Sequence, residues 1–292
     1  MRTLIQTSRA ALFLAASFLL LGAGAARAID ICGNGICATG AVPPESCSSC
    51  PADCGPCTPP PPVEFGALVD PSDSLAGRIV VSGVRVPFEN NSHANFGQER
   101  FVSSNLSIAV DPTNSSRVYV AWADFPGGSP PYTLHVRRSD NRGVTWSASD
   151  LLTISNATNP ALAVNNAGKV AFLYQRNTPT GVPLANQRWE THVRRSVNQG
   201  GAWDDIILAN TSAATPVVTF IPYLGDYAYI QAIGKDFYGI FSASNFPDMA
   251  NFPLGVTYQR NANFNTHQLF RTDGVTQVAV SIDPFFFKIV EP

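Results

Sequence analysis

The feature that most constrains this chain is that it repeats itself. Leu134-His-Val-Arg-Arg-Ser-Asp-Asn-Arg-Gly-Val-Thr-Trp146 returns as Thr191-His-Val-Arg-Arg-Ser-Val-Asn-Gln-Gly-Gly-Ala-Trp203. His135 pairs with His192, Ser139 with Ser196, Gly143 with Gly200 and Trp146 with Trp203, always 57 residues apart. Upstream of each copy stand two apolar runs separated by turn-forming residues. Leu106–Val110 and Val118–Trp122 flank Asp111-Pro-Thr-Asn, while Ala161–Val164 and Val170–Tyr174 flank Asn165-Asn-Ala-Gly. Short β-branched and aromatic runs bounded by Asn, Asp, Gly and Pro read as antiparallel strands joined by tight turns. A fainter third unit starts with Tyr229–Ile233, turns at Gly234-Lys-Asp, and continues through Phe237–Phe241, with Val256–Asn263 in the place of its third strand. Four strands per unit and no amphipathic helix between units predict an all-β chain, a β-propeller of four-stranded antiparallel blades. The remaining length allows about four such blades. The fourth would be assembled from Ile79–Pro87 at one end and Val275–Val280 or Phe285–Val290 at the other, and the sequence leaves ring closure open.

The ends of the repeats add a resemblance. Ser139-x-Asn141-x-Gly143-x-Thr145-Trp146 and Ser196-x-Asn198-x-Gly200-x-Ala202-Trp203 resemble the Asp box, or BNR repeat, of sialidase-like propellers, with Asn in place of the usual Asp. The motif has a mechanical rationale: a short Asx side chain closes a turn, Gly takes a positive φ, and Trp packs beneath the blade. The resemblance implies a propeller in which these turns are structural. It also makes a sialidase-type glycoside hydrolase the alternative function, which needs an arginine triad for a carboxylate, a Tyr nucleophile with a Glu, and an acidic Asp.

Few residues meet that demand. Arg85, in Arg85-Val-Pro87, matches the Arg-Ile-Pro element of sialidases over three residues only. Arg137, Arg138, Arg194 and Arg195 precede the boxes at blade spacing, which favours a scaffold role. Tyr223, Asp226, Tyr227 and Tyr229 form the densest binding candidate, since tyrosines beside an acid can stack on and hydrogen-bond a sugar. Asp226, Tyr227 and Arg85 are the catalytic candidates. The four histidines show no metal-ligand grouping, and no serine-hydrolase elbow, zinc-protease motif or phosphate loop occurs.

The N-terminal region is organised differently. Met1–Ala28 reads as a signal peptide: Arg2 and Arg9, an apolar run over Ala10–Leu21, then Ala26-Arg-Ala28. The apolar run is shorter than the roughly 20 residues a spanning helix requires, so cleavage is expected to leave no membrane insertion. The expectation is a secreted, periplasmic or cell-surface protein. All six cysteines, Cys32, Cys37, Cys47, Cys50, Cys54 and Cys57, fall in residues 29–57, which resemble the short Cys-rich repeats of bacterial exported proteins. In an oxidising compartment they predict three disulfides, with the connectivity open. Asn34, Glu45 and Asp53 could offer oxygens to calcium, but three scattered ones fall short of the six or more it prefers, so the expectation is no cofactor and no metal, with calcium the alternative. Residues 58–64 hold the polyproline linker, and the propeller spans 65–292. With a formal charge of −2 and only three lysines, nucleic acid is not an expected partner. These readings favour extracellular recognition of a glycan or protein ligand, with sialidase-like hydrolysis and a structural repeat protein as alternatives. They leave oligomeric state undetermined.

Overall fold

The computed structural model describes residues 32, 37, 46–47, 49–55, 69–85, 106–125, 132–179, 181–216, 224, 228–254 and 261–292. The chain forms two compact units, Met1–Gly66 and Ala67–Pro292. In the first, a single helical turn, α1 (Pro51–Cys54), starts on a proline whose missing N–H costs nothing at that position. Disulfides Cys32–Cys50 and Cys37–Cys54 tie it down, and Cys47 is also disulfide-bonded. Cys50 is almost wholly buried, so cross-links stand where a larger module would have an apolar core. The signal-peptide and linker readings, with Asn34, Glu45 and Cys57, lie outside the described residues. Among the described residues, no helix is long and apolar enough to cross a membrane.

The second unit is all β, built on four-stranded antiparallel sheets as the repeats predict. Strands β1 (Ser107–Val110), β2 (Val118–Asp124), β3 (Thr133–Ser139) and β4 (Leu152–Ser155) pair in chain order as sheet 1. Strands β5 (Ala157–Val164), β6 (Val170–Thr178), β7 (Arg188–Ser196) and β8 (Asp204–Ser212) do the same as sheet 2. The registers correspond: Trp122 lies opposite His135 in sheet 1, and Tyr174 lies opposite His192 in sheet 2.

The third unit departs from the expectation. Strands β9 (Tyr229–Ile233) and β10 (Asp236–Ser244) pair as read, but the strand beyond β10 is β14 (Ile282–Ile289) at the C-terminus. The end of the Val256–Asn263 segment instead forms β11 (Ala262–Asn263), which joins β12 (Gln268–Phe270) and β13 (Gln277–Val278) in a separate small sheet. The physical reason is side-chain alternation. Phe285 and Phe287 in β14 point to the same face and fill the apolar interior with Phe241 and Phe252, which Asn261 and Asn263 would not do. The fourth blade read from the two ends is therefore corrected: β14 completes the third sheet, β13 belongs to the small sheet, and the described residues 79–85 form no strand.

Sheets 1, 2 and 3 stack face to face. Leu134, Val136 and Ile154 meet Leu162, Phe172 and Tyr174 between the first two. On the opposite face of sheet 2, Ala161, Leu173 and Val193 meet Phe237, Phe241 and Phe285. Because sheet 2 is covered on both faces, every residue of β5 is buried. Strand β5 lies beside both β1 and β9, so the first strands of successive sheets adjoin. The turn after β5 is tied to the turn after β9: the Asn166 N–H donates to Gly234 O, and Asn165 Nδ2 donates to Lys235 O.

Candidate functional site

The two box turns share one hydrogen-bond scheme. The Ser139 hydroxyl donates to Asn141 Oδ1 at 2.9 Å and accepts from the Gly143 N–H at 2.8 Å, and the Thr145 N–H reaches Asn141 Oδ1 at 2.8 Å. In the second copy, Ser196 donates to Asn198 at 2.8 Å, Gly200 N–H donates to Ser196 at 2.9 Å, and Ala202 N–H donates to Asn198 at 2.7 Å. Gly143 and Gly200 have φ of 84° and 94°, the left-handed region that glycine enters without a Cβ penalty.

What differs is the surface each turn presents. Asp140, Thr145 and Ser147 of the first copy are Val197, Ala202 and Asp204 in the second. In the first copy a polar pocket of about 290 Å³ is lined by Arg138, Asp140, Asn141, Thr145, Trp146 and Ser147. Burial works against ionisation of Asp140, but Arg117 and Arg138 outweigh it and hold its carboxyl below the usual range. Trp203 turns its indole N–H to Gly200 O and Leu151 O, whereas the buried Trp146 N–H has no hydrogen-bond partner.

The four box arginines do not converge. Arg137 bridges Asp150 in its own repeat unit and Val80 O in the segment before it. Arg138 binds Asp140 and reaches Gln199 O in the second turn. Arg194 lies 3.6 Å from Asp205, and Arg195 binds Asp204 and Glu291. These guanidinium groups hold strands and sheets together.

A second repeated cluster escapes the sequence reading because its members sit on different strands. Trp122 stacks on His135 with ring centroids 5.1 Å apart, and Tyr174 stacks on His192 at 4.9 Å. His135 Nδ1 is 2.7 Å from Asp150, and His192 Nδ1 is 2.9 Å from Asp205. Burial would raise both carboxyls, but the histidine and arginine partners lower them below the ordinary range. Burial, then the Asp205 carboxylate, pushes the Tyr174 hydroxyl up to about 12.

The copies part at the other ring nitrogen. His192 Nε2 meets Glu190 at 3.2 Å. Thr133 occupies the corresponding position in sheet 1, where the buried His135 Nε2 has no hydrogen-bond partner and Asp124 stands 4.0 Å away. The buried Trp122 Nε1 also lacks a partner. Trp122 lines an apolar groove of about 470 Å³ on the face of sheet 1 turned away from sheet 2, with Val80, Val81, Val84, Leu106 and Val120.

Of the other candidates, Arg85 and Tyr229 are among the described residues. Arg85 is exposed, with its guanidinium 5.0 Å above the Phe125 ring and its backbone N–H donating to Asp124 Oδ1. Tyr229 opens β9 and is 59% exposed, on the face of sheet 3 away from sheet 2, in register with Ile240. Tyr223, Asp226 and Tyr227 lie outside the described residues, while Leu224 among them is buried against Phe125, Tyr132 and Trp189.

No protein-family model and no curated protein matches the chain. Among solved structures, an alpha-L-arabinanase of Penicillium chrysogenum complexed with arabinobiose matches at 15% identity and TM-score 0.34, over 48% of this chain and 41% of its own. An alpha-L-arabinofuranosidase of Fusarium graminearum in complex with an iminosugar inhibitor matches at 13% identity and TM-score 0.35, over 55% and 45%. A thermostable family-43 glycoside hydrolase matches at 10% identity and TM-score 0.34, over 69% and 77%. The chain thus spans less than half the length of the first two.

Proposed function

We propose that this is an exported recognition protein of the Asp-box propeller type, which binds a glycan at its first box turn. The observation that carries the reading is the pocket of about 290 Å³ there. It joins an indole, suited to the C–H face of a sugar, to carboxylate, carboxamide, guanidinium and hydroxyl groups suited to sugar hydroxyls. The second turn has the apolar Val197 and Ala202 where the first has Asp140 and Thr145. Recognition is favoured over sialidase-like hydrolysis because Arg137, Arg138, Arg194 and Arg195 have separate protein partners rather than one shared anion site.

The test pairs a glycan array with a fluorogenic sialoside. The expected result is array binding that falls at least about tenfold in Trp146→Ala while circular dichroism is unchanged, with no sialoside cleavage. Cleavage would move the assignment to the hydrolase, and silence in both assays would move it to a structural repeat protein.

A further inference from the structure

The second repeat copy shows what the first box turn lacks. Arg195 holds two carboxylates. Its Nε and Nη2, which share one edge of the guanidinium, bind Asp204, and its Nη1 binds Glu291. The Arg195 backbone N–H donates to the same Asp204 carboxylate at 3.0 Å. Every nitrogen of that side chain is therefore engaged within the protein.

Arg138 is the equivalent residue one unit earlier, and Ser147 stands where the second copy has Asp204. The Arg138 backbone N–H meets Ser147 Oγ at 3.3 Å, so the strand contact persists while its carboxylate is gone. Arg138 Nε donates to Asp140 at 2.9 Å and Nη1 to the neutral Gln199 carbonyl at 2.7 Å, while Nη2 has no partner among the described residues. Asp140 is itself divided, because Arg117 Nε also donates to it, at 2.8 Å. Arg138 thus holds one carboxylate where Arg195 holds two. Its side chain is 26% exposed and lines the pocket together with Ser147 and Trp146. A guanidinium with donor capacity to spare favours a charged acceptor over a neutral hydroxyl, since a charge-assisted hydrogen bond is roughly twice as strong as a neutral one. At about 290 Å³ the pocket lies at the small end of ligand sites, which suits a single hexuronate better than a bulkier acidic sugar.

We propose that the glycan bound at the first box turn is acidic, and that the carboxylate of a hexuronic acid unit takes on Arg138 the place that Asp204 takes on Arg195. The Ser147 hydroxyl donates to the same carboxylate, and the sugar ring lies on the Trp146 indole. This inference rests on the glycan reading of the pocket and names the class of glycan.

The experiment uses the full chain and an array of uronate oligosaccharides, each printed beside its carboxyl-reduced, neutral counterpart, followed by titration of the best pair. The acidic form is expected to bind at least about tenfold more tightly, the scale of one hydrogen bond to a charged group. Ser147→Asp installs the residue that the second copy carries at this position, so its circular dichroism should match the wild type. The new carboxylate should occupy Arg138, lower affinity for the acidic form at least about tenfold, and leave the paired forms binding alike. Val275→Asp adds the same charge at a position 80% exposed on the β12–β13 hairpin and should keep the preference. Equal binding of the paired forms by the wild type, binding confined to neutral glycans, or an unchanged preference in Ser147→Asp would overturn this inference and leave the glycan reading standing. Silence across the whole array would overturn both.

Discussion

At the scale of single residues, the two box glycines show how one motif takes different loads. A Cβ added at Gly143 meets only Trp146 Cζ2, at 3.6 Å, whereas at Gly200 it comes within 2.6 Å of Leu151 Cδ1 and 3.3 Å of Leu151 Cβ. Both alanine variants incur the left-handed backbone penalty of about 1–2 kcal/mol. Gly200→Ala should lose about 1 kcal/mol more, because overpacking forces Leu151 from its place. Urea unfolding of the two variants checks this, and equal losses would mean that the second turn is not seated on Leu151. The turns are legible in sequence because Ser, Asn and Gly act on backbone two to four residues away. The His–Asp pairing is not, because Asp150 and Asp205 lie 15 and 13 residues beyond their histidines and reach them only through strand pairing. The difference at the other ring nitrogen is harder still to read, since it depends on one exchange, Thr133 against Glu190, across a strand pair.

At the scale of elements, the two four-stranded sheets are readable because each strand pairs with the strand that precedes it along the chain. The third sheet is not, because its outer partner arrives from the C-terminus, 38 residues after β10 ends (Ser244 to Ile282). Local pattern cannot choose between two candidate strands; buried Phe285 and Phe287 against Phe241 can. The choice is testable at Gly239, which faces Phe287 across β10 and β14. A Cβ there stands 2.4 Å from Phe287 Cζ and 2.6 Å from the Tyr229 carbonyl oxygen. Since that oxygen belongs to the paired strand β9, Gly239→Ala should destabilise by about 1–3 kcal/mol. Its urea midpoint should drop with the slope unchanged, and wild-type stability would contradict the pairing of β14 over Gly239.

At the scale of the whole molecule, the cysteines divide the chain into two stability regimes. Residues 67–292 contain none, whereas the small unit relies on Cys32–Cys50, Cys37–Cys54 and the bond to Cys47. Dithiothreitol should therefore render the small unit protease-sensitive while leaving the thermal midpoint of the sheet unit within about 2 °C, less than the shift of a 1 kcal/mol change. A larger fall in that midpoint would show that the sheets depend on the module. Within the stack, the last arginine of each Arg-Arg pair makes the step to the next unit. Arg138 reaches the carbonyl of Gln199 in the second turn, and Arg195 reaches Glu291 beside the third sheet. The first of these joints asks only for a backbone oxygen, which any residue at that place supplies. The second asks for a carboxylate, so the joint between the first two units tolerates drift in its neighbour's sequence and the joint to the third does not.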